Sequence, residues 1–208
     1  MKKYPKIEYI KDIIGREGTI FDKLDGSNLR FEWNRKKGWF KFGTRNNLMD
    51  KDYPELGVGI EIFLNKYGED LSKVFVDKYK KVESFVVFGE FFGPNSFAGS
   101  HLKEDEKNVV LFDVNGYKKG FLPPDEFVQN FGHLDIPKII HRGQITENII
   151  ESVKENHWNL SEGVIIKGLS GKEVWMTKVK TKDWLKRVRE KFKEEDIKTL
   201  FGEDFQNS

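Results

Sequence analysis

Phe21-Asp22-Lys23-Leu24-Asp25-Gly26-Ser27-Asn28 is the stretch around which the 208-residue chain is organised. Thr19-Ile20-Phe21 makes an apolar approach to it, and a run of alternating residues follows. Leu29, Phe31 and Trp33 fall on one side; Asn28, Arg30 and Glu32 fall on the other. That is the period of a half-buried strand. In an extended chain Lys23 and Asp25 share a face. Taken alone, a lysine shortly before a carboxylate and a glycine is an ordinary strand end and turn. Its weight depends on what the rest of the chain supplies.

Working outward, Asn34-Arg35-Lys36-Lys37-Gly38 is a turn, and Trp39-Phe40-Lys41-Phe42-Gly43 returns as the second strand of a hairpin, with Arg45 at its exit. Residues 46–57 are loop-like. Ile60 to Val82 has apolar residues near helical spacing, with Gly68 as a point where the helix could divide. Residues 85–93 and 108–114 are buried strands separated by a loop over 94–107. A short helix starts at the prolines 123–124. Residues 136–140 form a short strand, and a helix runs over 146–158 with Thr146 as N-cap. Strands over 162–168 and 174–180 turn at Gly171, and a charged helix covers about 183–200. The lead-in before the first strand is polar, with a short helix or loop around Ile7–Ile14. No repeat or low-complexity linker interrupts the chain, so a single domain over 1–208 is expected.

Composition limits the function classes. Hydrophobic residues are 38% and charged residues 34%, with 18 Phe and 5 Trp. The chain can bury a substantial core, and no run approaches the length of a membrane span. There is no cysteine, which excludes disulfides and thiol nucleophiles and suits a reducing cytoplasm; no apolar signal-peptide core follows the N-terminal lysines. The four histidines lack metal-ligand spacing. A net charge of +2 neither argues for a nucleic-acid partner nor excludes one, because a balanced total can hide a basic surface.

Five features stand in order along the chain. They are Lys23-Leu24-Asp25-Gly26, Arg45 after the hairpin, Glu90 inside an apolar strand, Glu162-Gly163 opening another, and the pair Lys178 and Lys180. Lys178 and Lys180 are two apart and share a strand face. Glu90 points the same way as Phe88 and Phe92, where a carboxylate is costly unless it has a partner, a metal or a ligand. Each feature has a plain reading by itself: a buried ion pair, a solvated strand face, a surface arginine, a turn residue. Jointly those readings require five independent coincidences.

In this combination the sequence resembles the covalent nucleotidyltransferases, the superfamily of ATP-dependent RNA and DNA ligases and mRNA capping enzymes. Lys23-Leu24-Asp25-Gly26 resembles their first motif, Phe42-Gly43-Thr44-Arg45 the arginine motif, and Phe88-Gly89-Glu90-Phe91-Phe92-Gly93 the third. Leu111-Phe112-Asp113-Val114 resembles the strand with the base-stacking aromatic. Ser161 to Lys167 resembles the fourth motif and Met176 to Thr181 the fifth. The resemblance spans about residues 18–182. Asn28 stands where DNA ligases and capping enzymes usually carry an arginine, which is similar to the RNA ligases that seal nicked duplex RNA, the branch of the RNA-editing ligases. The 28 residues after Lys180 leave no room for an OB-fold domain with a sixth motif. A nearly solitary catalytic domain is therefore expected, with a protein partner as one way to replace the missing C-terminal domain. A small ATP-dependent DNA ligase is the alternative.

The resemblance implies an α+β fold: two packed, mostly antiparallel sheets flanked by helices, with a nucleotide groove between them. It implies ATP and Mg²⁺ or Mn²⁺ as cofactors and RNA ends as substrate. Lys23 would be the nucleophile, aided by Arg45, Lys178 and Lys180. Asp22, Asp25, Gly26, Asn28, Glu90, Phe112, Glu162, Lys167, Lys178 and Lys180 would surround the nucleotide. Phe112 would stack on adenine, Asp22 would meet its edge and Glu90 the ribose. Glu162 would hold the metal, directly or through water. The chemistry is coherent: a free lysine titrates near about 10.4 and is a poor nucleophile at neutral pH, whereas nearby cations disfavour its ammonium form.

Overall fold

The computed structural model describes residues 1–7, 12–92 and 106–201. The chain divides into two compact units. One comprises Met1–Pro5 and Gly26–Ile136; the other comprises Lys6–Asp25 and Pro137–Ser208. The α+β class and the two mostly antiparallel sheets agree with the sequence expectation, one sheet to each unit.

The first unit is built on a six-stranded sheet. Its strands are β2 (Ser27–Asn34), β3 (Gly38–Thr44), β4 (Leu48–Met49), β5 (Ser84–Phe92), β6 (Asn108–Gly116) and β7 (Gly120–Phe121), in the order β4-β3-β2-β5-β6-β7. Helix α1 (Val58–Lys78) covers one face. Ile60, Phe63, Tyr67, Leu71 and Phe75 are buried at intervals of three and four, the stripe that a helix turns toward a sheet. Leu29, Phe31 and Trp33 meet that stripe from β2. Phe31 stacks on Phe63 with centroids 3.6 Å apart, and Phe75 stacks on Phe85 at 4.0 Å. Helix α2 (Pro124–Phe131) adds Phe127 and Phe131 to the same core. Gly68 does not divide α1. Its carbonyl accepts from Trp39 Nε1 at 3.0 Å, which ties β3 to an unbroken helix.

The second unit is built on a four-stranded sheet, order β10-β9-β1-β8. Its strands are β1 (Glu17–Lys23), β8 (Ile139–Gln144), β9 (Gly163–Ser170) and β10 (Glu173–Lys180). Ile20, Val164, Ile166 and Val179 are buried in a core with Val153 of helix α3 (Glu147–Lys154). Thr146 caps α3, accepting from the Ile149 N–H at 3.3 Å.

Several boundaries differ from the sequence expectations. The strand expected over 136–140 is β8, whose pairing with β1 runs from Ile139 to Gln144 through the polar residues His141 and Arg142. Helix α3 ends at Lys154, short of 158. The tail is two helices, α4 (Lys182–Lys191) and α5 (Glu194–Phe201), because Phe192 between them is extended at φ −123° and ψ 145°. The two-residue strands β4 and β7 lie in segments expected as loop and turn. Most of the expected loop over 94–107, and part of the lead-in around Ile7–Ile14, fall outside the described residues. No described helix is long and apolar enough to cross a membrane.

Candidate active site

In the second unit the pairing register aligns the candidate residues. Lys23 pairs with Gly163, and Gly163 pairs with Lys180. Phe21 and Ile165 bring Lys178 onto the same face, and Thr19 and Lys167 continue the row. Glu162 stands just before β9 and is 5% exposed. Its Oε2 accepts from Lys23 Nζ at 2.6 Å, and its Oε1 pairs with Lys180. One buried carboxylate thus holds two ammonium groups that are 157 positions apart in sequence.

The backbone around Glu162 is tied down from α4. The Thr181 N–H donates to the Glu162 carbonyl at 3.1 Å. Arg187 Nη2 donates to the Ser161 carbonyl at 2.6 Å. Thr181 also caps α4 through Trp184 N, which seats the Trp184 ring 3.8 Å from Lys180 Nζ. An ammonium over an indole gains attraction that a desolvated site strengthens. Gly163, at φ 153°, is required by close approach: a Cβ there would lie 2.1 Å from the Val179 carbonyl oxygen. A larger residue would pry β9 from β10 where Glu162 meets Lys180.

Lys167 is buried, with its Nζ 5.2 Å from the centre of the Phe21 ring. Asp25 is buried as well. Asp22 pairs with Val164, and alternation turns it to the face opposite Lys23. Its Oδ1 is buried with no hydrogen-bond partner. Burial pushes the Asp22 carboxyl above its ordinary value, partly offset by Lys138 and Lys23.

In the first unit, Asn28 pairs with Glu90 across β2 and β5. Glu90 Oε1 accepts from the Gly26 N–H at 3.2 Å. Gly26 also needs its bareness, since a Cβ would lie 2.4 Å from the Phe91 carbonyl oxygen. Asn28 Oδ1 is buried and without a hydrogen-bond partner. Phe112 is half-buried on β6 and meets the Tyr4 ring edge-on, centroids 5.1 Å apart. Tyr4 donates to Asp113 Oδ2 at 2.9 Å; burial, then the charge of Asp113, holds its hydroxyl well above the usual tyrosine range. Arg45 is exposed in the turn between β3 and β4.

Arg30, a residue with no role expected from its sequence context, is 2% exposed. Its Nε donates to the Thr44 carbonyl at 2.6 Å and its Nη2 to the Asn47 carbonyl at 3.3 Å, on either side of Arg45. Its Nη1 donates to the Lys2 carbonyl at 3.2 Å. Burial lowers its pKa, with Glu32 opposing. The available signal was an arginine on the polar side of an alternating strand, which ordinarily marks a solvated face. Tyr4 was missed for a similar reason, as one aromatic in a polar lead-in.

A family model described as RNA ligase matches residues 16–188. The chain belongs to the RNA ligase family. Known structures agree in fold. An archaeal ATP-dependent RNA ligase aligns with TM-score 0.69 at 18% identity, covering 99% of this chain and 57% of that one. A Naegleria gruberi RNA ligase mutant solved with AMP and Mn aligns with TM-score 0.66 at 16% identity, covering 90% and 58%. A second form of the archaeal ligase gives 0.64 at 20% identity, covering 90% and 50%. This RNA ligase family member thus spans between 50% and 58% of the length of these solved ligases. No curated protein sequence matches it.

Proposed function

We propose that the chain is the catalytic part of an ATP-dependent RNA ligase that works through a lysyl-AMP intermediate, with Lys23 as the nucleophile. The observation that carries this reading is Glu162 gripping Lys23 and Lys180 together. It holds the nucleophile's nitrogen in a fixed position beside a second cation suited to phosphate.

The Lys23 nitrogen attacks the α-phosphorus of ATP. A P–N bond forms, the α–β P–O bond breaks, and pyrophosphate leaves. An oxygen of an RNA 5′-phosphate then attacks the lysyl-AMP phosphorus, breaking the P–N bond. An RNA 3′-hydroxyl finally attacks the activated 5′-phosphate and expels AMP. Lys178 and Lys180 stabilise charge on the phosphates. Arg45 and Lys167 add positive charge toward the phosphates. Phe112 supplies a ring for adenine, and Glu90 and Asn28 supply acceptors for ribose hydroxyls, with Gly26 and Asp25 shaping the loop between. The partnerless Oδ1 atoms of Asn28 and Asp22 suit the hydroxyl and amino donors of adenosine.

The donor set also suits Mg²⁺ or Mn²⁺. Among the described residues no three carboxylates or histidines gather into a cage. A single carboxylate at the phosphate end is what a cation carried largely by ATP and water needs. Glu162 would hold that cation through water, and the cation would supply charge neutralisation along the triphosphate.

The test is incubation with α-labelled ATP and Mg²⁺. Wild type should take up acid-stable label, and Lys23→Ala none. Equal labelling of the variant would overturn the assignment of the nucleophile. Nicked RNA and nicked DNA duplexes then separate the RNA reading from a small DNA ligase: preferential sealing of a 3′-deoxy terminus would favour DNA. Adding a candidate partner protein, or supplying pre-adenylated RNA, tells whether sealing or only self-adenylylation is complete in the chain alone.

A further inference from the structure

The end of the six-stranded sheet remote from Asn28 and Glu90 is strongly basic. Strand β2 runs from Ser27 to Asn34, so at about 3.3 Å per residue this end lies roughly 20 Å from Asn28. Three connections gather there. Asn34 pairs with Ser84, the Arg35 N–H donates to the Glu83 carbonyl at 3.0 Å, and the Tyr117 N–H donates to the Ser84 carbonyl at 2.9 Å. The β2–β3 turn brings Arg35, Lys36 and Lys37, the approach to β5 brings Lys80 and Lys81, and the β6–β7 turn brings Lys118, all exposed. Two further lysines nearby are engaged: Lys119 pairs with Glu126 at 3.3 Å and Lys78 donates to Asn130. The neighbouring acids are Glu126, Glu83 and Asp77. This pole thus carries eight Lys and Arg side chains in a chain whose net charge is only +2.

Aromatic rings sit among these cations. Tyr117 is 56% exposed, with Lys118 Nζ 5.4 Å from its ring centre. Phe40 is 37% exposed, with Lys37 and Lys41 Nζ at 5.2 and 5.6 Å. Exposed rings that bury little apolar surface contribute little to folding. Rings beside lysines are the combination that binds bases by stacking and phosphates by charge. The pole is also held rigid, since Arg35 Nη2 donates to the carbonyls of Phe75 and Tyr79 at the end of α1.

We propose that this pole binds the sugar-phosphate backbone of RNA, with Tyr117 and Phe40 stacking on unpaired bases, at a surface roughly 20 Å along β2 from Asn28. The inference rests on the RNA ligase reading for its choice of polyanion. Phosphate charge complements the five exposed lysines, and stacking uses the two rings.

The test is fluorescence anisotropy with a labelled single-stranded RNA and a labelled nicked RNA duplex, without ATP. Lys36→Glu/Lys37→Glu/Lys118→Glu should weaken binding by about tenfold or more at low salt. The corresponding triple glutamine variant should reduce the slope of log affinity against log salt by about 2 for single strands. Tyr117→Ala/Phe40→Ala should weaken single-strand binding more than duplex binding. Self-adenylylation, which needs no RNA, should stay at the wild-type level in every variant. RNA affinities within twofold of wild type in both charge variants would overturn the proposal. So would loss of binding to anionic phospholipid vesicles with RNA binding retained. If wild type takes up no label from ATP while RNA binding still depends on the pole, the ligase reading fails and this surface stands. The reverse pattern sinks the surface alone.

Discussion

At the scale of single residues, the candidate site departs from what stability alone would select. Glu162 is a buried carboxylate committed to two lysines, an arrangement whose desolvation cost offsets much of its attraction. Replacing such buried charges by apolar groups is often neutral for stability, which is consistent with the binding role proposed for them. Asp22 makes the same point in a form that can be measured. Its pKa is raised chiefly by burial, so between its ordinary value of 3.8 and the raised value the folded chain binds more protons than the unfolded one. Stability therefore falls as pH rises through that window, and the full cost persists above it. Asp22→Asn carries no such charge. It should melt higher than wild type at pH 7, and the gap should close as the pH approaches 4. A gap independent of pH would mean that the carboxylate is not destabilised by burial. The same variant should bind ATP less well if Asp22 meets the adenine edge.

At the scale of elements, strands do most of the positioning. Alternation and register put Lys23, Lys178 and Lys180 on one face without any side chain having to search for its neighbour. The turn between β3 and β4 is different, because a short exposed turn has no such frame. Arg30 supplies one by bonding carbonyls on both sides of Arg45 from a buried guanidinium. Arg30→Lys keeps the charge and loses the fork. We expect it to lower the melting temperature and also to slow self-adenylylation by about 10- to 100-fold, because small misplacements of a positioned group are expensive in rate. A lower melting temperature with unchanged labelling kinetics would make Arg30 purely structural. This element also marks how far the sequence could be followed. The alternation in β2, the helical stripe of α1, the Thr146 cap and the order of the five motifs were legible because each is a local pattern or a spacing. Arg30 and Tyr4 were not, because their partners are set by tertiary contacts from other parts of the chain. The break at Phe192 was hidden because the charged pattern of the tail continues through it, and β8 was shifted because pairing with β1, not local hydrophobicity, fixes its ends.

At the scale of the whole molecule, a covalent intermediate and a merely bound nucleotide make different demands on stability. A ligand that binds only the folded chain at a hundred times its Kd stabilises by about 2.7 kcal/mol. For a chain of this length that is roughly 5–11 °C in apparent melting temperature. Wild type and Lys23→Ala should both show such a shift in excess ATP, since the lysine is needed for bond formation and the remaining contacts for binding. Desalting then separates them. In Lys23→Ala the nucleotide leaves and the shift vanishes. In wild type incubated with ATP and Mg²⁺, AMP stays attached through the P–N bond, so the shift persists. Added pyrophosphate should abolish it by attacking the phosphoramidate and re-forming ATP, which the next desalting removes. Loss of the shift from both proteins on the first desalting would indicate a nucleotide-binding domain that performs no transfer. Persistence in both would move the covalent attachment to a residue other than Lys23.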